Sequence, residues 1–340
     1  MQLILVRAAL MAALLSTSGS AAMATPQAGP PRQDVPYAPT APAVVDAMLE
    51  AAGVTANDVV YDLGSGDGRV VIIAAKKYGA RGVGIEIDPV LVKSSREAAV
   101  ANGVGDRVTF VEGDMFTADI SPATVVTLFL WPSVNNRLEM KLRLGLRPGT
   151  RIVSNTFGIG HWRPDQITRG VAGSDVLLWR VPRAPARVPD VPFEPTSDVV
   201  VREMLRFAHV GAGDVVYDLG SGDGRIPIVA AQTSGAKGVG IELDPRLIDI
   251  SRQVANDVQL GGVVTFIEGD LFTADISAAS VVTLALSPEV NAKLESKLKK
   301  ELRPGTRIVS HRHPVGSWPP DRVARASDGS DLLLYLVRDK

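Results

Sequence analysis

The twelve residues Asp58–Arg69, DVVYDLGSGDGR, recur letter for letter at Asp214–Arg225. The repetition extends well beyond that turn. Glu86 recurs as Glu242, Asp114 as Asp270, Pro132 as Pro288 and Trp162 as Trp318, always at the offset between Asp62 and Asp218 (218 − 62 = 156). A constant offset leaves no insertion or deletion between the copies. Solenoid and propeller repeats have periods of roughly 20–50 residues, so this chain reads as one whole domain written twice. The flanks agree, VPYAPT at Val35–Thr40 answering VPFEPT at Val191–Thr196. The copies are joined near VPRAPARVPD, Val181–Asp190, where prolines discourage regular structure.

Within one copy the elements alternate. VVDAMLEAAGV has helical apolar spacing, DVVYDL is a short buried strand, and RVVIIAAKKYG is a helix ending at Gly79. GVGIEID is a strand, and PVLVKSSREAAVANG a helix with proline at its start and glycine at its end. VTFVEGD, VVTLFL, the helix SVNNRLEMKLRLGL, TRIVSNTF and a closing strand DVLLWRV follow. This alternation predicts an α/β fold: two tandem Rossmann-like domains, each a mostly parallel sheet with helices on both faces. The expected division is residues 1–24 as a signal peptide, 25–34 as a proline-rich lead-in, 35–183 as the first domain, 184–190 as a linker and 191–340 as the second.

Arg7 is the only charge among the first 24 residues, AALMAALL (Ala8–Leu15) is a short apolar core, and Ala22–Ala24 has the small-x-small form of a cleavage site. Export to a periplasm or to the medium is the expectation if this signal operates, and a cytoplasmic location otherwise. The apolar run is too short to cross a bilayer, so no stable membrane span is expected. With a formal charge of −1 there is no general basic field for nucleic acid. The chain has no cysteine, which removes thiolate nucleophiles and cysteine-bound metals, and its four histidines are scattered, so no metal is expected.

The turn DLGSGDG leaves the first strand and enters the first helix, the place where open α/β sheets bind ligands. Gly64, Gly66 and Gly68 are spaced G-x-G-x-G, unlike the G-x-G-x-x-G of dinucleotide sites. The turn also carries Asp62 and Asp67, which repel a pyrophosphate and suit a cation. S-adenosylmethionine offers a sulfonium, an α-amino group, a ribose diol and an adenine. Glu86 ends the second strand, placed to accept both ribose hydroxyls. Asp114 ends the third, placed to accept from the adenine amino group, with Met115 packing on the ring.

These pieces, together with PYAPT, GVGIEIDP, VEGDMF and PSVNNRLEMKLRLGLRPGTRIVS, resemble class I S-adenosylmethionine-dependent methyltransferases. Within that class the chain is most similar to the non-SET histone lysine methyltransferases and the related mitochondrial and bacterial lysine methyltransferases. The resemblance covers most of each repeat. It implies cofactor contacts from Asp62, Gly64, Ser65, Gly66, Gly68, Glu86, Ile87, Asp114 and Met115, with Tyr37 and Thr40 folding over the methionine end. The second set is Phe193, Thr196, Asp218, Gly220, Ser221, Gly222, Gly224, Glu242, Leu243, Asp270 and Leu271. Since both copies keep these acids and glycines, two cofactor sites are expected, in halves packed as an intramolecular pseudo-dimer.

The resemblance implies transfer of methyl to a protein lysine. LFLWPS and LALSPE lack the Asn/Asp-Pro-Pro-aromatic motif of amino-methylating nucleic-acid enzymes and the acidic ligands of catechol-type ones. Candidates for the acceptor channel are Thr127, Trp131, Pro132, Pro288 and His311. Trp131 reads equally as an ordinary packing residue, and His311 as a proton acceptor or a residue tying down a loop. A small-molecule acceptor, or a non-catalytic protein binding S-adenosylmethionine or an adenosine-like ligand, are the alternatives.

Overall fold

The computed structural model of the chain describes residues 37–185, 187 and 189–339. The expected signal peptide, the lead-in, and Val35 and Pro36 lie outside the described residues. In the first copy, helix α1 (Pro42–Ala51) precedes β1 (Val59–Leu63), α2 (Arg69–Tyr78), β2 (Arg81–Glu86), α3 (Pro89–Ala101) and β3 (Val108–Glu112). Then come β4 (Val125–Leu128), α4 (Pro132–Gly145), β5 (Arg151–Asn155), β6 (Gln166–Val171) and β7 (Ser174–Arg180). The second copy repeats the order with α5 (Asp198–Phe207), β8 (Val215–Leu219), α6 (Arg225–Ser234), β9 (Lys237–Glu242), α7 (Pro245–Asp257) and β10 (Val264–Glu268). It closes with β11 (Val281–Leu284), α8 (Pro288–Glu301), β12 (Arg307–His311), β13 (Arg322–Arg325) and β14 (Asp331–Leu336).

Each copy builds one seven-stranded sheet, ordered β3-β2-β1-β4-β5-β7-β6 and β10-β9-β8-β11-β12-β14-β13. Five strands pair in parallel, and β7 or β14, paired antiparallel on both sides, is the one strand of its sheet that runs against the others. The architecture is thus two tandem Rossmann-like domains. β1 reads VVYDL because a central parallel strand is covered on both faces, and Val60 and Leu63 are fully buried. On one face it meets Val44, Met48 and Leu49 of α1, and Val71 and Ala74 of α2. On the other lie Leu138 and Leu142 of α4, with Trp179 of β7. The sequence reading assigns one closing strand to each copy, whereas the structure forms a hairpin. Its outer arm, β6 or β13, sits at the sheet edge with most residues exposed, so no apolar stripe marks it.

The two copies touch through unlike faces. Arg143 of α4, fully buried, pairs with Glu139 at 3.0 Å, lies over the Trp162 ring at 4.3 Å, and donates to Gln253 Oε1 of α7 at 2.9 Å. His161 Nδ1 meets Asp257 of α7 at 2.8 Å, and Arg246 of α7 donates to the Leu144 carbonyl at 3.3 Å. Helix α7 has changed to suit: Pro245 and Ile250 are buried, while Pro89 and Ser94 at the matching positions of α3 are exposed. Burying one such isoleucine stabilises by about 1.5–3 kcal/mol. Among the described residues, no helix is long and apolar enough to cross a membrane.

Candidate functional site

The strand order reverses between β1 and β4, and again between β8 and β11. Neighbouring helices there pack on opposite faces, opening a crevice beyond the strand ends. The crevice of the first copy encloses about 80 Å³ and that of the second about 300 Å³. Tyr37, Thr40, Asp62, Gly64, Ser65, Gly66, Glu86, Ile87 and Met115 line the first. Phe193, Thr196, Asp218, Gly220, Ser221, Gly222, Glu242, Leu243, Asp270 and Leu271 line the second. Asp114 is exposed just beyond β3, its Oδ1 accepting the Phe116 N–H at 2.8 Å.

The glycines divide into two kinds. Gly66 has φ of 54°, and a Cβ there would fall 2.5 Å from the Tyr37 ring. In the second copy, Gly222 stands in the same relation to Phe193. Gly68 and Gly224 do not line the crevices. Each N-caps its helix in the left-handed conformation, with its Cβ direction filled by the Phe110 or Phe266 ring. They seat a helix on a strand.

Glu86 faces the turn. Its Oε2 accepts the Gly66 N–H at 2.8 Å and its Oε1 accepts the Ile87 and Asp88 N–H groups at 2.8 and 3.0 Å. Glu242 repeats this with Gly222, Leu243 and Asp244. Burial raises the Glu242 pKa against those hydrogen bonds. Asp62 is 6% exposed and its pKa is pushed up to about 7, first by burial and then by repulsion from Glu86 and Asp67, against the Thr127 hydrogen bond. Asp218 is pushed to about 7 by the same causes, with Glu242 and Asp223 as its neighbours. Asp67 is compensated by Arg69, which grips it at 2.9 and 2.6 Å. Arg69 also donates to the Thr40 carbonyl at 2.8 Å, fixing the segment that carries Tyr37 and Thr40 over the crevice.

The acceptor candidates scatter. Thr127 is fully buried and donates to Asp62 Oδ1 at 2.6 Å, because the two are register partners on adjacent parallel strands. It positions Asp62 and opens onto no channel. Pro132 and Pro288 are the first residues of α4 and α8 and do not line the crevices. Trp131 is 53% exposed, directly after Leu130, which does. His311 is buried, its Nε2 2.8 Å from the Ser330 hydroxyl, and burial followed by the Arg312 charge lowers its pKa. It ties down a loop. The residues missed are Phe129 and Ala285, one position past β4 and β11, which line the two crevices. Phe129 stacks on Phe157 at 6.4 Å and narrows the first crevice, and the second has only Ala285 there. Their position directly after an apolar strand was the available signal.

The donor set fits a cationic nucleoside. Each crevice gathers carboxylates that repel one another, beside glycine backbone and apolar walls, and Asp62 and Asp218 are ionised at a cost that a bound cation offsets. This fold and this socket define an S-adenosylmethionine-dependent methyltransferase. The model of the ANTKMT methyltransferase domain family matches residues 62–166 and 218–322, one stretch in each copy, and the chain belongs to that family. It is similar to a protein-lysine N-methyltransferase of Saccharolobus islandicus, 46% identical over 157 residues, covering 44% of this chain and 96% of the relative. The adenine nucleotide translocase lysine N-methyltransferase of Mus musculus is 34% identical over 177 residues, covering 49% of this chain and 76% of the relative. Among solved structures, an RNA methyltransferase from Salinibacter ruber with S-adenosyl-L-homocysteine is 53% identical, covering 46% of this chain and all of that one, with a TM-score of 0.42.

Proposed function

We propose that each copy binds one S-adenosylmethionine and transfers its methyl group to the ε-amine of a protein lysine. The observation that carries this is the duplicated acidic socket, Asp62–Glu86 and Asp218–Glu242, beside an apolar wall of Phe129 and Leu130 in one copy and Ala285 and Leu286 in the other. Lysine is favoured as acceptor because the relatives from Saccharolobus islandicus and Mus musculus are protein-lysine methyltransferases by name. The cofactor supplies an electrophilic methyl on a sulfonium, so no covalent enzyme intermediate and no protein nucleophile is needed.

The chain's own residues bind, align and exclude water. Glu86 and Glu242 would take the ribose hydroxyls, while Asp62 and Asp218 would face the positive charge. Asp114 and Asp270 would accept from the adenine amine, with Met115 and Leu271 against the ring. Tyr37 and Phe193, packed on the glycine turn, would close the methionine end. Phe129 and Leu130 form an apolar wall that disfavours an ammonium and so favours the neutral amine that attacks. As the N–C bond forms and the C–S bond breaks, the amine proton leaves to water. The unlike-face contact is read as holding the two copies as a fixed pair. Purified protein incubated with methyl-labelled cofactor and cell extract should place label on lysine of a protein. Label appearing only in small molecules would refute the acceptor assignment, and binding without any transfer would refute the enzyme.

A further inference from the structure

We propose that the cofactor crevice of the second copy is a composite site, completed by the first copy across their contact, while the first crevice is self-contained. The inference rests on reading both crevices as cofactor sites. The second is lined by Leu144 from α4 of the first copy and by Arg187, Pro189 and Asp190 from the joining segment. Among the described residues, the first is lined from Tyr37 to Leu130, all within its own copy.

The physical link is Arg246. Its guanidinium grips Asp244 at 2.9 and 2.6 Å and donates to the Leu144 carbonyl at 3.3 Å. That carbonyl ends α4, where helix carbonyls lack internal partners and favour a cation. Asp244 is 4% exposed, and its N–H donates to Glu242 Oε1 at 2.9 Å. A continuous chain of hydrogen bonds therefore runs from the first copy to the carboxylate at the centre of the second site. The first copy cannot build its counterpart: Val90 stands where Arg246 does, has no side-chain donor, and is 73% exposed. A second tie reaches the rim, where Arg187 donates to Asp270 Oδ2 at 3.0 Å. The position matching Arg187 in the first copy is Pro31, which has no side-chain donor. Arg246 is thus a positioning residue for Glu242, and the packing of the copies sets affinity at one site only.

The test is calorimetric titration of the full chain with S-adenosylhomocysteine, using Glu86→Gln to isolate the second site and Glu242→Gln to isolate the first. In the Glu86→Gln background, Arg246→Met should weaken binding about 5- to 10-fold, the net scale of one lost hydrogen bond. A second variant, Gln253→Ala with Asp257→Ala, loosens the contact without touching the crevice and should weaken the same site about 3-fold. In the Glu242→Gln background neither change should move the affinity beyond about 2-fold. Equal weakening at both sites, or an unchanged second site in both variants, overturns the composite reading. Should Glu86→Gln and Glu242→Gln fail to remove one site each, the cofactor reading itself falls.

Discussion

Asp62 and Asp218 make the sharpest prediction because their burial puts stability and binding in opposition. Each has a folded pKa of about 7 against 3.8 for the free group. A raised acid binds its proton more tightly in the folded chain, so stability is full below about pH 3.8 and falls as pH rises towards 7. A rise of that size is worth at most about 4 kcal/mol per copy above roughly pH 7. Asp62→Asn keeps the Thr127 hydrogen bond and removes the buried charge, so the ligand-free protein should melt higher at about pH 8. The gain is about 2–4 °C for each kcal/mol recovered. Cofactor binding should respond in the opposite sense. A cationic ligand selects the ionised acid, so binding near pH 6 should release close to one proton per site. Affinity should fall about twenty-fold between roughly pH 7.5 and 5.5. Calorimetry in two buffers of different ionisation enthalpy counts the protons, and scanning calorimetry gives the melting shift. A lower melting temperature for Asp62→Asn near pH 8, or no proton release near pH 6, would refute the account of the socket.

Further expectations follow from the same geometry. Gly66→Ala forces a side chain onto positive φ and into the Tyr37 ring, so it should destabilise by about 1–3 kcal/mol in denaturant titration and abolish binding in the first crevice alone. Arg143→Ala leaves Glu139 buried without its partner and should cost about 3–5 kcal/mol of thermal stability, whereas Arg143→Met, which keeps the packing on Trp162, should cost less. Ala285→Phe installs in the second crevice the ring that lines the first, and single-turnover assays should show that copy still transferring methyl but to a narrower set of acceptors, with little change in melting temperature.

Much of this arrangement was legible in the sequence because backbone constraints write themselves in residue type. The left-handed turn at Gly64 and Gly66 and the acids at strand ends are local, and local features survive reading one residue at a time. What was not legible is tertiary. Gly68 looks like its neighbours, yet it serves the Phe110 ring, which lies far along the chain on β3. Thr127 looked like an acceptor contact, yet strand register turns its hydroxyl to Asp62. The replacement of Val90 by Arg246 resembles ordinary surface drift until Leu144 is seen opposite. The outer arms β6 and β13 escaped because an exposed edge strand has no apolar face to display.

The contact between unlike faces has a consequence for growth. A head-to-tail joint can in principle be extended without end, since the second copy still offers its α8 face and the first its α3 face. Here the residues at the matching positions disfavour it. Where Arg143 is attracted by Asp249, an added unit would set Lys299 against Lys93. Where His161 and Arg163 hold Asp257, it would set Ser317 and Pro319 against Ala101. The groups that join the two copies therefore have no counterparts on the outer faces, and the same joint is not expected between two chains.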